Sequence, residues 1–140
     1  MMRALIKPIV KDQFFLSQKA APATKADLPA AADLQDTLNA NHDRCAGMAA
    51  NMIGVKKRII IVNMGLASVV MFNPAITQKE GPYEAEEGCL SLSGVRKTTR
   101  YERIAVEYTD MSWKRQRREY AGWIAQIIQH ECDHLDGILI

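Results

Sequence analysis

Apolar residues in the middle of the chain follow a strand-like pattern. Residues 59–62 and 69–72 are short, mostly apolar runs, and a stretch containing asparagine, glycine and serine separates them. This pattern predicts two neighbouring strands joined by a turn, the second ending at Asn73-Pro74. Within residues 104–108 the large apolar side chains occupy every second position. Alternation of this kind predicts a strand with one buried face.

Two other stretches have the spacing of helices. Leu34 and Leu38 fall on one face of a predicted helix that ends near Asn41. Residues 122–135 contain no glycine or proline after position 122 and carry isoleucine and leucine at helical spacings. Strands in the middle of the chain, followed by a buried helix at its end, predict an α+β fold. A length of 140 residues with 48% hydrophobic composition predicts one domain, residues 1–140.

The charge balance indicates no particular macromolecular partner. The 18 basic and 16 acidic residues give a net charge of +2 and are mostly interspersed, which predicts neither DNA nor membrane binding. The basic run at residues 114–118 lacks interleaved aromatic residues, and we interpret it as a solvated strand edge. The amino-terminal apolar run is too short for a signal peptide, and the three cysteines suggest no disulfide framework. A cytoplasmic location is therefore expected.

The sequence QHECDH at residues 129–134 is typical of a metal-binding helix. Residues four apart on a helix are rotated by only about 40° from each other, so His130 and His134 can turn their imidazoles toward one ion. In such sites the intervening glutamate, here Glu131, usually acts as a general base toward a water molecule at the metal. The motif predicts a metal-dependent hydrolase. The alternative is a helix with two hydrogen-bonded histidines and a surface glutamate.

A third protein ligand has to come from upstream, because residues 135–140 offer only Asp136. Four upstream side chains are candidates, the first two stronger than the others: His42, Cys89, Glu86 and Glu87. Cys89 follows Gly88, which permits a close backbone approach, and a thiol can ionise against a cation. One thiolate and two imidazoles would leave the fourth tetrahedral position open, as in catalytic sites.

Two stretches resemble signature motifs of the peptide deformylases. They are EGCLS at residues 87–91 and QHECDHLDG at residues 129–137, and weaker similarity extends over nearly the whole chain. The resemblance implies antiparallel or mixed β-sheets packed around a central C-terminal helix that carries HExxH. It also implies metal ligation by Cys89, His130 and His134. Fe(II) is the expected ion, and Zn(II), Ni(II) or Co(II) can occupy such a site.

The same resemblance implies a reaction and a substrate. Glu131 would move a proton toward the leaving amine as formate is released from N-formylmethionyl peptides, and Gln129 would support the ligands. Ala46 and Gly47 would offer backbone hydrogen bonds to an extended peptide. Arg96 would lie near the C-terminal side of that peptide.

Three residues that precede the ligands at helical spacings would shape the methionine pocket: Trp123, Gln126 and Ile127. Core packing explains Trp123 and Ile127 equally well. Gln126 stands where relatives usually carry an apolar residue, so the side-chain preference of the pocket is open to change.

The first family motif is the one from which this chain departs. The family reads GxGLAAxQ, whereas residues 45–52 read CAGMAANM. Cys45 stands in place of a glycine, and Met52 stands in place of a glutamine whose amide donates to the oxyanion of the reaction. A thioether has no proton to donate, and loss of one such donor can cost about 10² to 10³ in turnover. The metal and the backbone N–H of Leu90 would then carry this stabilisation.

The sequence supports one leading hypothesis and two alternatives. The leading hypothesis is a peptide-deformylase-like metallohydrolase with efficiency reduced by Met52. The runner-up is a paralogue of the same fold that binds metal and peptide ends without useful catalysis. The third is a zincin-type endopeptidase, whose commoner forms need a downstream ligand. A transient ribosome contact is a further expectation, although only three residues follow Gly137 where many relatives carry an additional helix or strand.

Overall fold

The computed structural model describes residues 8–42, 45–65, 67–89 and 92–138. These residues form three α-helices: α1 (Gln13–Leu16), α2 (Leu28–Ala40) and α3 (Gly122–Leu135). They also form five strands: β1 (Gly47–Ala49), β2 (Ile59–Asn63), β3 (Ser68–Cys89), β4 (Leu92–Thr109) and β5 (Arg115–Ala121). Two short 3-10 turns, Lys25–Asp27 and Ala50–Ile53, precede α2 and follow β1.

The described strands form one antiparallel sheet in the order β1-β2-β3-β4-β5. Each strand pairs with its neighbour in sequence, as where Ile61 of β2 lies opposite Val70 of β3. The edges of this sheet are therefore β1 and β5. Strands β3 and β4 form a long hairpin. Most positions of its distal part are exposed or half-buried, but Glu87 of β3 and Arg100 of β4 are buried. The predicted α+β class and the predicted strands and helices are all present.

One predicted boundary is wrong, because β3 does not end at Asn73-Pro74. The strand continues to Cys89 after a shift of register between Phe72 and Ala75. Asn73 takes a left-handed φ of 50°, and its side-chain amide accepts from Ala23 N at 2.7 Å and donates to Ala23 O at 3.0 Å. The tertiary contact with residue 23 thus holds a bulge where local rules predict a stop.

Helix α3 packs against the sheet and carries the HExxH motif into the interior. It contacts β1, β2 and β4, and Ala125, Ile128 and Leu135 are fully buried in the core. The side chain of Gln129 pairs with the backbone of Tyr101 on β4, accepting from N and donating to O, both at 2.9 Å. These two hydrogen bonds tie α3 to β4 next to the histidines.

The basic run at residues 114–118 lies at an exposed strand edge, as the sequence pattern predicts. Arg115, Arg117 and Arg118 are exposed on the edge strand β5, and Arg117 donates to Gln78 Oε1 at 3.3 Å. None of the helices in the described ranges has the length and apolar character that crossing a membrane requires.

Candidate metal and active site

His130, Glu131 and His134 form a buried cluster on α3. One potential ligand atom from each lies within 4.8 Å of the others, and the two histidine Nε2 atoms are 3.1 Å apart. All three side chains are buried, Glu131 with only 5% of its surface exposed. The alternative of a surface glutamate is therefore wrong. The helical spacing predicted from sequence does bring the two imidazoles together.

A network of ionised groups from three elements surrounds this cluster. Glu87 of β3 accepts hydrogen bonds from His130 Nδ1 at 2.7 Å, Arg100 Nη2 at 2.7 Å and Gln126 Nε2 at 2.8 Å. Arg100 of β4 also donates to Asp133 Oδ2 at 2.6 Å. The buried charge of Arg100 is thus paired with two carboxylates, and the carboxylate of Glu87 is saturated with donors.

The surroundings set the protonation of each group. Although burial opposes ionisation, hydrogen bonds from His130, Arg100 and Gln126 lower the pKa of Glu87 to about 2. Burial lowers the pKa of His134 to about 3, so its ring is neutral. Burial also raises the pKa of Glu131 to about 7, with a further contribution from the charge of Glu87. A carboxyl group with such a pKa can both accept and release a proton near neutrality.

The donor set fits a divalent transition-metal ion. Because ionised Glu87 can only accept, the Nδ1 atom of His130 carries the hydrogen of their contact. At the other edge of the ring, Nε2 lies 3.1 Å from Nε2 of His134, whose ring is neutral. Glu131 Oε1 and His134 Nδ1 are buried without a hydrogen-bond partner in the described part of the chain. Two imidazoles converging beside a carboxyl group suit zinc, ferrous iron, nickel or cobalt.

A cavity of about 440 Å³ opens onto the cluster. Its walls come from four parts of the chain: residues 45–47, Met52, residues 86–88, and Trp123, Gln126, Ile127, His130 and Glu131 of α3. The predicted substrate residues Ala46 and Gly47 thus line it. A Cβ atom on Gly47 would lie 2.5 Å from Ile127 Cγ2, so only glycine fits at this position without displacing its neighbours.

Met52 also lines the cavity and is 1% exposed. Its sulfur atom accepts the backbone N–H of Ala49 at 3.5 Å, so the thioether supplies no donor to the site. Arg96 lies on β4 opposite Glu87 of β3 in the strand register. Among the described residues it does not belong to the cavity wall. The roles assigned to Met52 and Arg96 from the family resemblance stay predictions.

The upstream ligand candidates lie in different surroundings. Cys89 ends β3, directly after Gly88 of the cavity wall, but its side chain and the whole of Leu90 lie outside the described residues. Ligation by Cys89 and the role of the Leu90 backbone N–H therefore stay predictions. His42 is exposed at the end of α2, with Nδ1 2.8 Å from Asn39 O, and does not belong to the cluster. Glu87 contacts the cluster through His130 Nδ1.

Sequence reasoning did not identify three polar residues that organise the site. Arg100 and Asp133 form the ionic network described above, and Asn51 donates from Nδ2 to the backbone carbonyl of His134 at 2.8 Å. Asp133 offered a signal, because it lies three residues after His130 and so belongs near the same helix face. Arg100 and Asn51 offered none, since both reach the site through tertiary contacts.

Comparison with known proteins assigns the family. The model of the polypeptide deformylase family matches residues 6–140. The chain belongs to this family. The peptide deformylase of Clostridium beijerinckii is 56% identical over 136 residues, covering 97% of this chain and all of that protein. The peptide deformylase of Thermodesulfovibrio yellowstonii is 43% identical over 100 residues, which are 67% of this chain and 61% of that protein.

Solved deformylase structures share the fold over almost the whole chain. A class I type b peptide deformylase from Acinetobacter baumannii with bound Met-Ala-Ser has a TM-score of 0.85 at 30% identity, covering 96% of this chain and 97% of that one. The peptide deformylase of Thermus thermophilus has a TM-score of 0.84 at 36% identity, covering 96% and 83%. These matches confirm the predicted family and fold class. The protein is a hydrolase of the deformylase type, from a family of metalloenzymes.

Proposed function

We propose that this deformylase hydrolyses the formyl amide of N-formylmethionyl peptides, giving formate and a peptide with a free amino group. The observation that carries the proposal is the position of Glu131, a buried carboxyl group beside two converging imidazole nitrogens at the base of an open cavity. The Acinetobacter deformylase of similar fold was crystallised with Met-Ala-Ser, the product expected from formyl-Met-Ala-Ser.

We further propose that His130 and His134 hold the metal through Nε2, with Cys89 as the third ligand. Fe(II) is the expected ion, and Zn(II), Ni(II) or Co(II) can replace it. When bound, the ion would polarise the formyl carbonyl and make a water molecule more acidic. The hydrogen bond from His130 Nδ1 to Glu87 fixes the tautomer and orientation of the first imidazole for this task.

Glu131 is proposed as the proton-transfer group. Its carboxylate takes a proton from the attacking water as the oxygen of that water bonds to the formyl carbon. It then delivers the proton to the amide nitrogen as the C–N bond breaks, so that the amine leaves as a neutral group. Burial keeps bulk water from competing for the proton during both steps.

The free edge of β1 is the proposed binding site for the substrate backbone. Among the strands of the described residues β1 pairs only with β2, and Gly47 and Ala46 line the cavity beside it. An extended peptide added at this edge would place its first side chain in the cavity. Arg96 of β4 is the proposed partner for the C-terminal side of the peptide, and the backbone N–H of Leu90 is the proposed donor to the oxyanion.

Formate release from formyl-Met-Ala-Ser is the direct test. The protein is prepared without oxygen, loaded with Fe(II) or Ni(II), and compared with Glu131→Gln carrying the same metal content. We expect release by the native protein and a loss of about 10² to 10⁴ in kcat for the variant. Absence of release at full metal occupancy would favour the alternative, a paralogue that binds metal and peptide ends without turnover.

Further expectations about the domain, its location, the ribosome and oxygen accompany the proposal. Residues 1–140 are proposed to act as one catalytic domain, on newly made formylated peptides in the cytoplasm. A transient contact with the ribosome stays a prediction. Oxygen is expected to inactivate a ferrous form through oxidation of the metal or of Cys89.

A further inference from the structure

Gln126 places a polar amide in the wall of the cavity. It lies on α3 one turn before His130 and lines the cavity together with the apolar side chains of Trp123 and Ile127. Two hydrogen bonds hold its carboxamide in place. Nε2 donates to Glu87 Oε2 at 2.8 Å, and Oε1 accepts from the hydroxyl of Tyr83 at 3.3 Å. The contact with the ionised carboxylate of Glu87 determines which end of the amide carries the hydrogens.

These two bonds use only part of the hydrogen-bonding capacity of the amide. A carboxamide has two N–H donors and two acceptor lone pairs. Glu87 takes one N–H of Gln126 and Tyr83 uses one lone pair, and none of the residues that the structure describes takes the second N–H. Since Gln126 is only half-buried and forms part of the wall, this donor is available to a molecule inside the cavity.

The cavity wall around Gln126 carries apolar side chains beside the polar groups of Glu86, Glu87, His130 and Glu131. Trp123 is 65% exposed at this wall, and Ala46, Met52 and Ile127 add apolar atoms. A purely hydrocarbon side chain bound here would cover the spare N–H and leave it unpaired, which is unfavourable. A side chain ending in a hydrogen-bond acceptor would instead pair with it.

We infer that Gln126 is a specificity-determining residue that admits formyl peptides whose first side chain ends in a strong hydrogen-bond acceptor. Methionine sulfoxide has such an acceptor and nearly the length of methionine, so peptides beginning with formyl-methionine sulfoxide are the substrate class to which the inference leads. The thioether of methionine is a weak acceptor and gains less from the same donor. The inference rests on the proposed function and specifies the side chains that its pocket takes.

Three peptides separate this role from a general effect on catalysis. They share the sequence formyl-X-Ala-Ser, where X is methionine, methionine sulfoxide or norleucine, and kcat/KM is measured for each with the metal-loaded native protein and with Gln126→Leu. Loss of the bond to Glu87 lowers all three values by a common factor, which cancels in their ratios. We expect the sulfoxide-to-norleucine ratio to fall about tenfold in the variant, the effect of one buried hydrogen bond to a polar substrate atom.

Two further variants make the test decisive. Gln126→Met keeps an unbranched side chain without an N–H and should lower the ratio as Gln126→Leu does, which guards against misfolding of the leucine variant. Gln78→Leu is the matched control, because Gln78 is exposed on β3 and does not line this cavity; its ratio should equal that of the native protein. A ratio changed less than twofold by both Gln126 variants overturns the inference. Failure of the native protein to hydrolyse any of the peptides overturns the proposed function instead.

Discussion

His130 donates its Nδ1 hydrogen to the carboxylate of Glu87 across 2.7 Å, although 43 residues separate the two in sequence. The low pKa of Glu87 leaves the carboxylate as acceptor, so the hydrogen has to reside on the imidazole. This bond orients the imidazole so that its Nε2 lies 3.1 Å from Nε2 of His134. The same carboxylate binds Arg100 and Gln126, so one strand residue connects helix α3, strand β4 and the cavity wall.

Removal of the charge at Glu87 should weaken metal binding. In Glu87→Gln an amide NH₂ group replaces one carboxylate oxygen. This donor would either face the N–H groups of Arg100 or weaken the hydrogen bond from His130 Nδ1. We expect metal affinity to fall about 10- to 100-fold, measured by competition with a chelator. Glu84→Gln makes the same change at an exposed position of β3 and should bind metal as the native protein does. Equal affinities for the native protein and Glu87→Gln would contradict this role.

The stability of the metal-free protein should depend on pH through Glu87. Its pKa is about 2 in the folded state against an ordinary value of 4.5, so the unfolded state binds more protons between these values. The stabilisation is complete above about pH 4.5 and disappears as the pH falls through about 2. We expect this contribution to the free energy of unfolding to be about 1–3 kcal/mol after screening by solvent, measured by urea unfolding. The difference in unfolding free energy between the native protein and Glu87→Gln should shrink over this range, and a constant difference would count against the mechanism.

Cysteine substitutions test the proposed third ligand. Cys89→Ala should bind substoichiometric metal, because two imidazoles alone hold a divalent ion less tightly than the same pair with a thiolate. Cys132→Ala is the control, since burial raises the pKa of Cys132 to about 12 and keeps it a thiol. Metal content is measured by elemental analysis after gel filtration. Full occupancy in Cys89→Ala would exclude this ligand set and revive the endopeptidase hypothesis.

Restoring a donor at position 52 should accelerate the reaction. Met52 is buried in the cavity wall, and its sulfur offers no hydrogen to a developing oxyanion. We expect Met52→Gln to raise kcat for formyl-Met-Ala-Ser by up to about 10²-fold with little change in KM. Met52→Leu has a similar volume and no donor, so it should show no gain. If the glutamine variant gains nothing either, the oxyanion argument loses its support.

A methyl group at Gly47 should destabilise the fold. The added Cβ would lie 2.5 Å from Ile127 Cγ2 and 3.3 Å from Glu131 Cγ, so both α3 residues would have to move. We expect Gly47→Ala to lower the free energy of unfolding by about 1–3 kcal/mol in thermal or urea denaturation. At Gly88 the nearest atom, Gly94 O, is 3.4 Å from the added Cβ. Gly88→Ala should therefore cost clearly less, and comparable losses at both positions would rule out the steric explanation.

The sequence alone determined the elements whose cause is local. The spacing of His130 and His134 follows from helical geometry, and β2 and the β-branched start of β3 follow from short apolar runs. The motifs around residues 87–91 and 129–137 were specific enough to indicate the family, which the comparisons confirm. Local rules failed at Asn73, where a contact with Ala23 sustains the strand through a bulge.

Only the tertiary structure decided what surrounds the two histidines. Arg100 looks like an ordinary charged residue in the sequence, and the motifs around Glu87 and Asp133 do not show that the three residues meet. The register of β3 against β4 and the packing of α3 on the sheet bring them into one buried network. The spare donor of Gln126 likewise became visible only with its two hydrogen bonds in place. The physical reason is that a residue's periodicity reports which face of its own element is buried. Its partners depend on how separate elements pack, which no local pattern records.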